Sequence, residues 1–221
     1  MIIIAIAMQK GGVGKTTLTR SLAVASARAG LMVFALDMDP QQSTTQWSRR
    51  RGEGHLPAVR FATELDLPRE LERARAAGCD IVFIDTPPAR SSEAPAAVEA
   101  ADLVLIPCTP DIESFDQLPR TVRLAKAFGT RALAVLNMVT PNSTSEISAA
   151  RGVFAELGLE MAAQVLHRLK IHKDASLLGR SAQEVTVISK GSVEISALWE
   201  GIAAQLHLCT GAPVHQAEAG R

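Results

Sequence analysis

The chain has no tyrosine at all, and aromatic residues make up only 4% of it. A protein that grips single-stranded nucleic acid by stacking bases on aromatic rings does not fit that composition. Cysteine is equally sparse: Cys79, Cys108 and Cys209 lie far apart, form no C-x-x-C pair and have no histidine nearby at ligand spacing. They read as buried or inert thiols in a reducing compartment, which argues against a zinc or Fe–S site built within one chain. No apolar run approaches the roughly 20 residues needed to span a bilayer. Residues 1–8 are apolar but lack a basic leader and run straight into a glycine loop, so they read as a buried first strand rather than a signal peptide. The expected compartment is the cytoplasm. Net charge is also missing, with 23 Lys plus Arg against 23 Asp plus Glu, which excludes a uniformly basic nucleic-acid binder but leaves room for a local basic face.

What is present is an alternating pattern. Nearly continuous Ile/Val/Leu runs at 2–7, 32–36, 81–84, 103–106 and 132–136 have the character of strands covered on both faces. Between them lie helical stretches at 16–29, 67–77, 91–100, 114–128 and 145–157. Gly30, Gly78, Gly129 and Gly158 each follow one of these stretches, where a left-handed cap is expected. The alternation predicts a doubly wound α/β domain with a mostly parallel sheet flanked by helices. A last helix is expected over 193–208, with Ile195, Leu198, Trp199, Ile202 and Leu206 on a helical period. Residues 1–208 form a single expected domain, and 209–221 a frayed tail.

The chemistry concentrates where the first run ends. Lys10-Gly11-Gly12-Val13-Gly14-Lys15-Thr16-Thr17 follows an apolar strand and opens a helix. Its end fits the phosphate-loop pattern G-x-x-x-x-G-K-[ST], although Gln9 stands where the first glycine belongs. Glycines let backbone N–H groups converge on phosphate oxygens, and the helix N-terminus adds positive dipole. Lys15 is then expected on the β/γ-phosphates of ATP, the Thr16 hydroxyl on Mg²⁺, and Thr17 near the α-phosphate. Two acidic segments end other strands, Asp37-Met38-Asp39-Pro40-Gln41 and Asp85-Thr86-Pro87-Pro88. Ligands of open α/β sheets bind at the carboxyl ends of the strands, so the three segments should converge. Asp85 has the Walker B arrangement for Mg²⁺. Asp37 and Asp39 share the remaining roles, one toward the metal and one toward the attacking water, in an order that spacing leaves open.

The run from Gln9 to Thr17 closely resembles the deviant Walker A motif of the ParA/MinD superfamily of P-loop ATPases. Asp37-Met38-Asp39-Pro40-Gln41 is similar to the D-x-D-P-Q segment of ParA-type partition ATPases, and Val165-Leu166-His167-Arg168 to their I-P-R stretch. The resemblance covers nearly the whole chain and implies a mechanism. ATP binding drives a homodimer in which Lys10 reaches the partner's phosphates, Asp39 positions the lytic water, and a centromere-binding ParB-like adaptor stimulates slow hydrolysis. It further implies that Asn137 lies near the base, with the loop after Arg168 closing over it.

It also implies nonspecific DNA binding, through Arg168 and the basic segment that includes Lys170 and Lys173, on a nucleoid-associated protein. This segment departs from the family's x-x-S-E-A-P continuation. Arg49-Arg50-Arg51, after an expected switch helix at 41–48, reads as surface decoration or part of a partner interface. Positioning of a non-DNA cargo is a close variant of this function. A MinD-like membrane cycle needs a basic amphipathic terminal helix. Residues 209–221 offer one Arg, no Lys and a Pro, so no membrane partner is expected. A metabolic P-loop ligase would lack the signature lysine and paired aspartates.

Overall fold

The computed structural model describes residues 1–52, 54–88 and 92–208. The expected tail at 209–221, with Cys209, and Ser91 at the start of one expected helix lie outside the described residues. In chain order the elements are β1 (Ile2–Ile6), α1 (Lys15–Arg28), β2 (Val33–Asp37), α2 (Ser43–Arg51), β3 (Ala58–Phe61), α3 (Leu67–Ala76), β4 (Ile81–Asp85) and α4 (Glu93–Ala100). They continue with β5 (Leu103–Cys108), α5 (Ile112–Phe128), β6 (Arg131–Leu136), α6 (Thr144–Glu156), β7 (Glu160–Met161), α7 (Lys170–Leu177), α8 (Ala182–Val185) and α9 (Lys190–Gln205). The strands form one parallel sheet in the order β3-β2-β4-β1-β5-β6-β7.

Alternation along β1 explains the two-layer packing. Ile4 and Ile6 point into one apolar layer with Leu18 and Leu22 of α1 and Ile195, Leu198 and Trp199 of α9. Ile3 and Ala5 point into the other, with Leu71 of α3, Val98 of α4, Leu118 of α5 and Phe154 of α6. A strand with helices on both sides has no solvent face, so its sequence is continuously apolar rather than alternating. Each fully buried aliphatic side chain contributes about 1.5–3 kcal/mol relative to exposure.

The doubly wound parallel sheet stands as expected, with differences at its edges. β3 and β7 add two strands. The first has its side chains partly exposed and carries Arg60, and the second is only two residues long, so neither shows a buried apolar run. The switch helix starts later than expected and continues through Arg51, making Arg49-Arg50-Arg51 its last turn. Cations are favoured there by the partial negative charge of the helix C-terminus. The segment after Arg168 is not an open loop. It forms α7 from Lys170, a helix that sequence reading missed because Ala175 is its only buried residue.

The order β4-β1-β5 puts β1 where the winding of the sheet reverses. Crevices at such reversals are where open α/β sheets bind ligands. The glycine loop leaves β1 at that point, between Asp85 at the end of β4 and Thr109–Asp111 after β5.

Candidate functional site

Within the loop, Gly12 and Gly14 take positive φ angles of 76° and 91°. At Gly14 a side chain is excluded twice over. Besides the left-handed backbone, a Cβ there would sit 2.4 Å from Nδ2 of Asn137. Asn137 follows β6, and its Nδ2 donates to the carbonyl of Val13 at 2.8 Å, clamping the loop from the side. Asn137 also lines a cavity of about 490 Å³ together with Thr17, Arg168, His172 and Lys173. The residue expected near the base thus borders a cavity opening beside the phosphate loop. Arg168 and Lys173, expected on DNA, are exposed at its wall, while Lys170 extends into solvent 3.6 Å from Asp174.

Lys15 begins α1 and is buried, and its Nζ donates to the Lys10 carbonyl at 3.1 Å. Burial lowers its pKa, while the negative charges of Asp85 and Asp39 act to raise it. The half-buried Thr16 and Thr17 follow on the first turn, with Gly11 exposed ahead of them.

Asp37 and Asp85 stand side by side in register across β2 and β4. Both are fully buried, yet their oxygens are used differently. Asp37 accepts from the Asp39 N–H at 3.2 Å and from the N–H and hydroxyl of Thr45 at 2.8 and 2.9 Å, so it anchors the start of α2. Asp85 Oδ2 accepts from the Thr44 hydroxyl at 2.7 Å, whereas Oδ1 has no partner among the described residues. Burial pushes the Asp85 carboxyl up to about 6, against the hydrogen bond from Thr44 and with the help of the charge of Asp37. The Thr16 hydroxyl pulls it back down. A buried carboxylate oxygen left unpaired beside a threonine hydroxyl matches the hard-oxygen donor set that a divalent cation takes. Asp39 is nearly buried at the mouth, and its Oδ1 accepts from the Gln41 N–H at 2.9 Å.

Lys10 makes a contact that sequence reasoning did not anticipate. Its ammonium bonds the carboxylate of Asp111 and lies 3.8 Å from Glu113. Asp111 also caps α5 by accepting from the Ser114 N–H, and it accepts from the Thr109 hydroxyl. Burial works to raise the Asp111 pKa, but Lys10, Thr109 and Ser114 together hold it down at about 2. Its signal in the sequence was an Asp three residues before Ser114, an N-cap spacing.

Arg20 and Trp47 were missed as well. Arg20, on α1, donates to Thr44 at 3.4 Å and to Ser176 of α7 at 3.1 Å. Trp47 is fully buried, donates to the Arg180 carbonyl at 3.1 Å, and has the guanidinium carbons of Arg20 and Arg51 over its ring, 5.7 and 4.7 Å from the centroid. A lone tryptophan in an otherwise polar helix was the available clue. Together these side chains fasten the phosphate-loop helix, the aspartate segment and α7 to one another.

Comparison with known proteins gives the family and the fold. Residues 4–187 match the CbiA family, described as the CobQ/CobB/MinD/ParA nucleotide binding domain. The chain is 37% identical over 182 residues to the maintenance of carboxysome distribution protein A of Gloeobacter kilaueensis, covering 81% of this chain and 82% of that one. It is 30% identical over 207 residues to the chromosome partitioning protein ParA of Caulobacter vibrioides, covering 71% and 76%. Among solved structures, the fold is shared with the MinD cell division protein of Aquifex aeolicus at a TM-score of 0.76 and 19% identity, over 92% of this chain and 98% of that one. With the phosphate loop, the paired strand-end aspartates and the parallel sheet all in register, the chain belongs to the CobQ/CobB/MinD/ParA nucleotide-binding family.

Proposed function

We propose that this protein is a Mg²⁺-dependent ATPase of ParA type, acting as an ATP-timed dimer that holds DNA without reading its sequence and lets go on hydrolysis. The reading is carried by one observation. Lys15, Asp39 and Asp85 meet at a single mouth, while Lys10 is turned onto α5 and leaves its own loop without a second lysine ammonium.

Each residue then has a task. The N–H groups of Gly11, Gly12, Val13 and Gly14 cradle phosphate, and Lys15 supplies the fixed positive charge. Thr16 and Asp85 would hold Mg²⁺, which when bound offsets the phosphate charge that builds up in phosphoryl transfer. Asp37 keeps the start of α2 in position by accepting from Thr45 and the Asp39 N–H, and it stands beside Asp85 as the further carboxylate candidate for the metal. Asp39 orients the attacking water. Thr17 and Asn137 border the cavity on the base side. Lys10 leaves Asp111 to complete the site of a second copy.

A weak intrinsic rate, stimulation by a ParB-like adaptor and a nucleoid-associated cytoplasmic location belong to the same reading. Among the described residues no helix is long and apolar enough to cross a membrane. Arg168, Lys170 and Lys173 are exposed and are candidate DNA contacts. The likeness to a carboxysome distribution protein supports a second reading, in which the same ATP-timed dimer positions a protein cargo. Retention on random-sequence duplex DNA, measured with ATP, ADP and no nucleotide at several salt concentrations, tests the proposal. Salt-sensitive binding with ATP alone is expected, and equal binding in all three states would overturn it.

A further inference from the structure

The arginine run that ends α2 builds something more specific than a decorated surface. Arg50 lines an open groove of about 380 Å³ together with Arg28 from the end of α1, His55 and Arg180 from the turn after α7. Three separate chain segments thus bring positive charge to one concavity, in a molecule with no net charge.

The arginines there divide into two kinds. Arg51 is structural: its side chain is 6% exposed, it forks onto both oxygens of Glu184 at 2.6 Å, and it lies over the Trp47 ring. It therefore neutralises Glu184, the one acidic residue among the described residues that line the groove. Arg28, Arg50 and Arg180 are exposed, and among the described residues none of their guanidinium groups has an ion-pair partner. The walls are held closely. Gly179, at φ +66°, lets the turn approach α2 so nearly that a Cβ would lie 2.5 Å from the Arg51 backbone nitrogen. Trp47 bonds the carbonyl of Arg180 itself.

We propose that this groove is a second anion site, one that takes the phosphate backbone of duplex DNA through Arg28, Arg50 and Arg180. The inference rests on the DNA reading above and adds a location for the contact. Guanidinium groups pair with phosphate oxygens in a bidentate way and carry no sequence information, as nonspecific retention requires. The groove is also mechanically joined to the nucleotide site. The first turn of α2 carries Thr44 and Thr45, which bond Asp85 and Asp37, and the helix ends at the groove. A change in the Asp85 environment therefore acts on the helix that carries Arg50.

The test is a triple variant, Arg28→Ala with Arg50→Ala and Arg180→Ala, assayed with ATP and Mg²⁺ on random-sequence duplex from about 50 to 200 mM salt. Loss of three phosphate contacts should lower the salt slope by about 2.7, at roughly 0.9 per contact, and weaken binding at least about tenfold. The Arg→Lys counterpart should keep most of the affinity, and a loss equal to that of the alanine variant would overturn the charge-based account. An unchanged affinity and slope, with Arg168→Glu abolishing retention, would overturn the groove and leave the DNA reading standing. Wild-type protein that never binds DNA with ATP would overturn both. Retention on anionic phospholipid vesicles in place of DNA, or loss of the ATP dimer in the triple variant, would also overturn the assignment.

Discussion

The ammonium of Lys10 is bound to the carboxylate of Asp111, the residue that caps α5 across the mouth of the site. The contact keeps within its own chain the lysine that the proposed dimer needs. Asp111 is 40% exposed, so water screens the pair, and pairs of this kind contribute about 0.2–1 kcal/mol. Releasing Lys10 should therefore favour the dimer modestly. In Asp111→Ala, the ATP concentration giving half-maximal dimer should fall about 1.4- to fivefold, as read by sedimentation. An unchanged midpoint would mean that the contact does not oppose assembly.

Lys15→Ala removes the buried charge that begins α1. A charge-assisted hydrogen bond contributes about 1.5–3 kcal/mol, so ATP affinity should fall at least about tenfold. Fluorescent-nucleotide titration reads this directly, and an unchanged affinity would remove the loop from the account.

Thr44→Val would leave the buried Asp85 carboxylate with neither oxygen bonded as it is now. The expected cost is about 1–3 kcal/mol, or about 2–12 °C in Tm for a chain of this size. Mg²⁺ with nucleotide should restore part of that loss in calorimetry, because it would give Asp85 a new partner. A loss that Mg²⁺ leaves unchanged would separate Asp85 from the metal.

Trp47→Ala should cost about 3–5 kcal/mol, the usual range for truncating a buried aromatic side chain. The nucleotide-binding loop does not contain Trp47, so the variant should still bind ATP at temperatures where it stays folded. DNA retention should fall with it, since Trp47 holds both walls of the arginine groove.

The sheet was legible because its central strands are buried on both faces and therefore written as apolar runs; Ile3 to Ile6 and Leu103 to Ile106 could hardly be anything else. β3 and β7 escaped notice because strands at a sheet edge bury little and are short. The loop and the two aspartate segments were legible because glycine, lysine and strand-end acids are local signals. Asp111, Arg20 and Trp47 were not, because their roles depend on partners far along the chain. Lys10 meets Asp111 across 101 positions and Trp47 meets Arg180 across 133. No local spacing encodes such contacts; they follow only from the order of the strands.

The central claim is that ATP binding, held in place until hydrolysis, makes this chain a dimer. It is tested most directly by the sedimentation mass of Asp39→Ala with Mg²⁺ and ATP, with ADP, and without nucleotide. The account predicts a persistent dimer with ATP and a monomer in the other two states, with Lys10→Ala in the same background restoring the monomer. A monomer in all three states, with ATP binding intact, would contradict it.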